Sequence, residues 1–161
     1  MKRIYAKGFT IVELLVSISI LVFIASGMYA AYREIARREV LDTTHQELKS
    51  NLSFVRQQAL SGVKPPACFD SGTGRWKTLS AYRVDFGSNY YEAYAICESE
   101  VSYRRYDLSA GVNFQTRPVS VLYKVIGDGV VVSGSSNIVI QATFGEVRTR
   151  TVNLNNQGLI Q

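Results

Sequence analysis

Between Leu14 and Tyr32 the chain carries no charged residue, reading LLVSISILVFIASGMYAAY. As an α-helix at ~1.5 Å per residue this run measures about 28 Å, close to the ~30 Å hydrocarbon core of a bilayer, so it can cross once. Beyond Tyr32 the pattern changes without a break. The segment REIARREVLDTTHQELKSNLSFVRQQALS has no glycine or proline before Gly62, and Leu41, Leu48, Leu52, Val55 and Ala59 recur at helical spacing on one face. Arg37, Arg38, Glu39, Lys49, Arg56 and Gln57 fill most of the other face. One helix over residues 9–61 is predicted, with an apolar transmembrane half at 14–32 and an amphipathic second half that needs a surface to pack on.

Gly62, Pro65 and Pro66 end the helix, and the loop CFDSGTGRWKT precedes a change of period from 3.6 to 2. LSAYRVDF, NYYEAYAICES, GVNFQ, SVLYKVIG, GVVVSG, NIVIQATF and EVRTRTVNL read as strands, with tight turns at Gly87-Ser88-Asn89 and Gly127-Asp128-Gly129. Short connections imply antiparallel neighbours. The expected fold is α+β: a long N-terminal helix packed on an antiparallel β-sheet or a two-sheet domain. Residues 62–161 are expected to form a globular antiparallel β domain, with residues 1–8 expected as a leader.

Charge alters the picture only at the N-terminus. The 161-residue chain has a formal net charge of +5, but Lys2, Arg3 and Lys7 precede Gly8 with no acid among them. A chain cut after Gly8 keeps 15 of its 18 basic residues against 13 acids, which weakens a nucleic-acid reading based on overall charge. Cys68 and Cys97 both lie outside the apolar run. In an exported domain they would pair, joining the post-helix loop to a strand and adding ~3–4 kcal/mol in the chain-entropy treatment; the alternative is two buried free thiols.

Candidate chemistry is sparse. One His and two Cys make no zinc set of the usual kind, and His45 has no evident nucleophile partner. DSGTGRW lacks the strand, helix and lysine order of a phosphate loop. Tyr90, Tyr91, Tyr94 and Tyr106 are common residue types for a half-exposed sheet. No metal, cofactor or enzymatic activity is expected.

The unusual residue is Glu13, an acid at the edge of the apolar run. An ionised carboxylate at the centre of a membrane helix costs at least ~2.5–3.5 kcal/mol, so this one calls for a partner or a reason. One reason is local: Thr10-Ile-Val-Glu13 is a capping box, in which the acid also complements the positive helix end. A second comes from the surrounding residues, Lys7, Gly8, Phe9, Thr10, Glu13 and Leu14-Leu15. Basic leader, small residue, aromatic, acid and long apolar helix together resemble the class III signal of type IV pilins and type II secretion pseudopilins, K-G-F-T-x-x-E followed by some twenty apolar residues.

The resemblance implies cleavage between Gly8 and Phe9 by a membrane prepilin peptidase, N-methylation of Phe9, and subunit assembly in which Glu13 pairs with the terminal amine of an adjacent subunit. Ser17, Ser19, Ala25, Ser26 and Gly27 would let neighbouring helices approach closely. It also implies an inner-membrane assembly platform as partner and a single-pass inner-membrane protein with its C-terminal domain outside, later part of a filament. Charge does not settle orientation, because Lys2, Arg3 and Lys7 flank one side while Arg33, Arg37, Arg38 and Lys49 follow the other.

A second resemblance lies in NLSFVRQQALSG and FGEVRTRTVNLNNQGLIQ, which are similar to parts of GspH/FimT-type minor pilins and pseudopilins. It implies a minor subunit of a type IV pilus, a competence pilus or a secretion pseudopilus. The competing function is a surface binding module on a simple membrane anchor. In that case Arg148 and Arg150, on one face of the last strand, would contact DNA phosphates together with Arg104, Arg105 or Lys124 if the fold gathers them, against the alternative of a solvated strand face.

Overall fold

The computed structural model describes residues 10–125, 129–144, 147–155 and 160. The leader 1–8, Phe9 and residues 127–128 of the second expected turn lie outside the described residues. Helix α1 runs Ile11–Ser61. Thr10 caps its start: the Thr10 hydroxyl accepts from the Glu13 N–H at 3.2 Å, and the Thr10 carbonyl accepts from Leu14 at 3.1 Å. The other end closes in a Schellman motif. Gly62 adopts φ +61°, its N–H bonds the Ala59 carbonyl at 3.2 Å, and the Val63 N–H reaches back to Gln58 at 3.3 Å.

The chain divides into two compact units, Met1–Arg38 and Glu39–Gln161. The second unit takes the amphipathic half of α1 together with all the strands. A short 3₁₀ turn at Pro66–Cys68 leads into a two-stranded ribbon, β1 Phe69–Asp70 and β2 Arg75–Trp76. Then come β3 Leu79–Phe86, β4 Tyr90–Cys97, β5 Ser99–Asp107, β6 Val112–Lys124, β7 Val130–Ala142 and β8 Arg148–Asn153. These six form one antiparallel sheet in the order β5-β4-β3-β6-β7-β8.

The sheet departs from the predicted strands in three places. β5 is an added strand, because SEVSYRRYD is rich in charge and lies mostly exposed at a sheet edge. The reversal before it is made by Glu98 at φ +64°, between the paired residues Cys97 and Ser99, with none of the Gly, Asn or Pro that marks a turn in sequence. GVNFQ and SVLYKVIG merge into the single strand β6, and GVVVSG and NIVIQATF into β7. Pro118 faces Gly134 in that hairpin, with register shifts around it. Gly134 adopts φ +97°, and a Cβ there would stand 3.2 Å from the Val119 backbone nitrogen. The two residues therefore bend a long hairpin that they were expected to interrupt.

Alternation then sorts the sheet into a covered and an open face. Leu41, Leu48, Leu52, Val55 and Ala59 of α1 are buried, as are Tyr82, Val84, Tyr91, Ala93, Ala95, Val121, Tyr123, Ile138, Ile140 and Val152 from five of the six strands, and all belong to one core. Several polar groups at this seam find partners, whereas the buried Tyr106 and Tyr123 hydroxyls have no hydrogen-bond partner among the described residues. Thr44 bridges the Val40 carbonyl and the Ser109 hydroxyl at 2.7 and 2.8 Å. Asn51 donates to the Tyr91 hydroxyl at 2.8 Å, and the Tyr82 hydroxyl donates to the Val63 carbonyl at 2.7 Å.

Cys68 and Cys97 form a disulfide with Cα atoms 5.6 Å apart, tying the post-helix turn to the end of β4. Both residues are fully buried. Its sequence separation of 29 residues corresponds to about 3.5 kcal/mol of loop-closure stabilisation. Denaturant unfolding of the full chain in detergent is expected to show a loss of about that size for the double Cys68→Ser, Cys97→Ser variant. The added reductant dithiothreitol should then lower wild-type stability and leave the variant unchanged.

Candidate assembly site in the N-terminal helix

Over residues 11–29 of the first unit the helix is predominantly apolar on every side, and these residues are exposed. Ile11 and Phe23 are 81% and 82% exposed, and Leu14, Leu15, Val16, Ile18, Ile20, Leu21, Val22 and Ile24 are all more than half exposed or close to it. Its serines are satisfied internally. Ser17 donates to the Glu13 carbonyl at 2.7 Å, Ser19 to Leu15 at 2.8 Å and Ser26 to Phe23 at 2.8 Å. Such back-bonding lets a hydroxyl sit in an apolar helix without an external partner. At Gly27 a Cβ would meet no atom within 4 Å, so the position is open to a close approach from outside. Among the described residues this is the one helix long and apolar enough to cross a membrane.

Glu13 is the third helical residue, held by the Thr10 cap. It lies in the first turn, where a carboxylate complements the positive helix end. Local capping therefore accounts for the backbone around Glu13, and its exposed carboxylate remains accessible to a second molecule. Charges return at the other end of the apolar run, where the Arg33 guanidinium lies 5.9 Å from the Tyr29 ring centroid and Arg38 pairs with Glu34 at 3.2 Å.

In the second unit the open face of the sheet carries a self-satisfied polar network. Arg83 bonds Glu100 through both terminal nitrogens, Nη2 to Oε2 at 2.9 Å, and Asp85 at 2.9 Å; these carboxylates, Glu100 foremost, raise the Arg83 pKa. Glu92 accepts from Ser102 at 2.6 Å and from Tyr94 at 2.9 Å. Those hydroxyls hold its carboxyl below the usual range, while Glu92 in turn pushes the Tyr94 hydroxyl up. Arg105 stacks 4.0 Å from the Tyr90 ring centroid and pairs with Asp107 at 3.1 Å. Of the four tyrosines singled out in the sequence, Tyr91 is buried instead of displayed, and burial pushes its hydroxyl up to about 12.

The arginines proposed for phosphate contact are not gathered. Arg148 and Arg150 lie on β8 at one edge of the sheet and Arg104 and Arg105 on β5 at the other, five strand spacings or about 24 Å away. Arg150 shares the face of Val152 and bonds Asp42 of α1, Nε to Oδ1 at 2.6 Å. Asp42 is the partner that sequence reading missed. Its signal was its position, one residue after Leu41 at the margin of the buried stripe. His45, one turn further, has its Nε2 3.3 Å from the Thr151 carbonyl, so the two helix residues together fasten the edge strand. Among the described residues no group of three or more His, Cys, Asp or Glu could hold a metal ion.

Residues 3–29 match the prokaryotic N-terminal methylation motif. No curated protein and no solved structure matches the chain. The matched stretch contains Lys7, Gly8, Phe9, Thr10 and Glu13 and the start of the uncovered helix, and it supports a type IV pilin-like N-terminus joined to the α+β fold described above.

The Arg150 hydrogen bond lowers the Asp42 pKa from its ordinary 3.8. A depressed folded-state pKa contributes stability above the unfolded value that is lost as pH falls through the folded one. Both side chains are about half exposed, which limits the effect to about 0.2–1 kcal/mol. Asp42→Asn should therefore be less stable than wild type at neutral pH, and paired unfolding curves should begin to approach each other as the pH falls below 3.8 and meet only below the depressed folded-state value.

Proposed function

We propose that this chain is a prepilin-like structural subunit, a minor pilin or pseudopilin of the GspH/FimT-like kind, anchored by α1 in the inner membrane and assembled into a type IV pilus, competence pilus or type II secretion pseudopilus. The observation that carries the reading is the coincidence of the methylation motif at residues 3–29 with a helix that leaves its apolar surface uncovered from Ile11 onward. An apolar surface of that extent needs lipid first and like helices afterwards.

In this reading a prepilin peptidase hydrolyses the Gly8–Phe9 peptide bond. Water supplies the hydroxyl to the Gly8 carboxylate and the proton to the new Phe9 amine, which is then methylated. Removal of the octapeptide strips three cations from the end of the helix and leaves one positive amine. In an apolar bundle the Glu13 carboxylate is stable only beside such a positive group, and an adjacent subunit's amine meets it in one axial register. Pairing thus sets the stagger, while cohesion comes from the packed apolar helices. The C-terminal domain lies outside the membrane, consistent with its disulfide.

DNA capture has no part in this proposal, since Arg150 is engaged by Asp42 and Arg104 and Arg105 lie on the sheet edge opposite Arg148 and Arg150. Intact-mass measurement of the chain extracted from cells with the peptidase should show loss of Met1–Gly8 and one added methyl group. A full-length mass there would instead indicate a simple membrane anchor. Glu13→Ala should still be cleaved and membrane-bound yet be strongly depleted from sheared filament fractions; undiminished incorporation would refute the pairing role.

A further inference from the structure

The β1–β2 ribbon is an element without a role in the core. Phe69 faces Trp76 in its register, their rings meet edge to face with centroids 5.2 Å apart, and they remain 44% and 50% exposed. An isolated two-stranded ribbon is at best marginally stable, yet this one is fastened at both ends. At its base Cys68 is tied to the sheet through the disulfide, and its carbonyl accepts from the Lys77 N–H at 2.9 Å. At its tip Asp70 accepts from the Gly72 N–H at 3.0 Å and the Thr73 hydroxyl at 2.9 Å. Fixing the backbone this firmly while leaving its largest apolar side chains in water is preorganisation for an external surface.

The charges define that surface. Asp70, the acid of the ribbon, is turned onto the donors of its own tip. Lys64, Arg75 and Lys77 form no ion pair among the described residues; Arg75 faces Asp70 in the register, and the Asp70 pKa, lowered chiefly by the Thr73 hydroxyl, is lowered further at longer range by Lys77. The register sets the two aromatics on one face and Arg75 on the other. Long cationic stems reach past such a thin ribbon, and the cations stay within a Debye length, ~8–10 Å, of whatever the aromatics touch. Aromatic side chains flanked by unpaired Lys and Arg are the composition of a lipid headgroup boundary. A buried protein interface is by contrast depleted in lysine.

We propose that the β1–β2 ribbon docks on an anionic phospholipid bilayer, with Phe69 and Trp76 at headgroup depth and Lys64, Arg75 and Lys77 held by the surface charge. The proposal is independent of leader cleavage and filament assembly. Trp76 is the single tryptophan of the chain, so intrinsic fluorescence reports on this position without a label. The full chain, held in phosphatidylcholine nanodiscs, would be titrated with phosphatidylglycerol vesicles.

The expected result is a shift of Trp76 emission to shorter wavelength, with quenching when the vesicles carry brominated acyl chains. Neutralising three cations as Lys64→Gln, Arg75→Gln and Lys77→Gln should weaken binding on the order of a hundredfold, since each contributes about a fivefold factor near an anionic surface. These surface substitutions leave the core and disulfide intact, which circular dichroism would verify. Absence of any shift at saturating vesicle, equal binding to phosphatidylcholine vesicles, or a shift produced only by single-stranded oligonucleotide or acidic polypeptide would each overturn the proposal.

Discussion

The second unit depends on burial of one helical stripe, Leu41 to Ala59, against a six-stranded sheet. Each of its large side chains contributes about 1.5–3 kcal/mol when removed from water, and these side chains share one core with the buried face of the sheet. The sheet in turn lets five of its six strands bury Val, Ile, Ala or Tyr in the core shared with α1. Removing the stripe would leave both partners with exposed apolar faces, so the helix and the sheet are one folding problem. The polar bonds around the stripe, Thr44 to Ser109 and Asn51 to Tyr91, add direction to a contact whose strength is apolar.

The first unit obeys the same physics with the opposite result. Its apolar run has no stripe because every side is apolar, and its large apolar side chains from Ile11 to Tyr29 are exposed. Internal bonds of Ser17, Ser19 and Ser26 leave few polar groups asking for water. A helix of this kind is satisfied by lipid or by its own kind, and in the proposed assembly the charge of Glu13 would distinguish between registers. Capping by Thr10 explains how Glu13 is tolerated at the helix start, and the proposed pairing explains why its charge would matter to a neighbour.

The helix end at Ser61, the core stripe and most strands were legible because each follows from periodicity or a local stop signal, such as Gly62 after Ser61 or the alternation in LSAYRVDF; the helix starts at Ile11 rather than Phe9, because Thr10 caps it from outside. β5 was not legible because an edge strand needs little apolar content and its turn at Glu98 uses a non-glycine residue at positive φ. The merging of four predicted strands into β6 and β7 was hidden for a related reason. Proline and glycine mark an end when read singly, yet opposite one another, as Pro118 and Gly134, they accommodate a bend. Among candidate sites, the methylation signal at residues 3–29 was readable because it is contiguous. The pairing of Arg150 with Asp42 was not, since 108 positions separate them.

By itself the sequence determined what each segment could tolerate: a membrane-length apolar helix with one acid at its start, an amphipathic continuation, and alternating strands able to cover it. These are local properties, set by side-chain chemistry at spacings of two to four residues. Only the tertiary structure decided which strands are neighbours, that the two cysteines bridge, that Arg148 and Arg150 stand far from Arg104 and Arg105, and that Phe69 and Trp76 remain uncovered. Those facts depend on strand order and loop closure, where residues distant along the chain compete for the same buried face, and no local pattern encodes the winner.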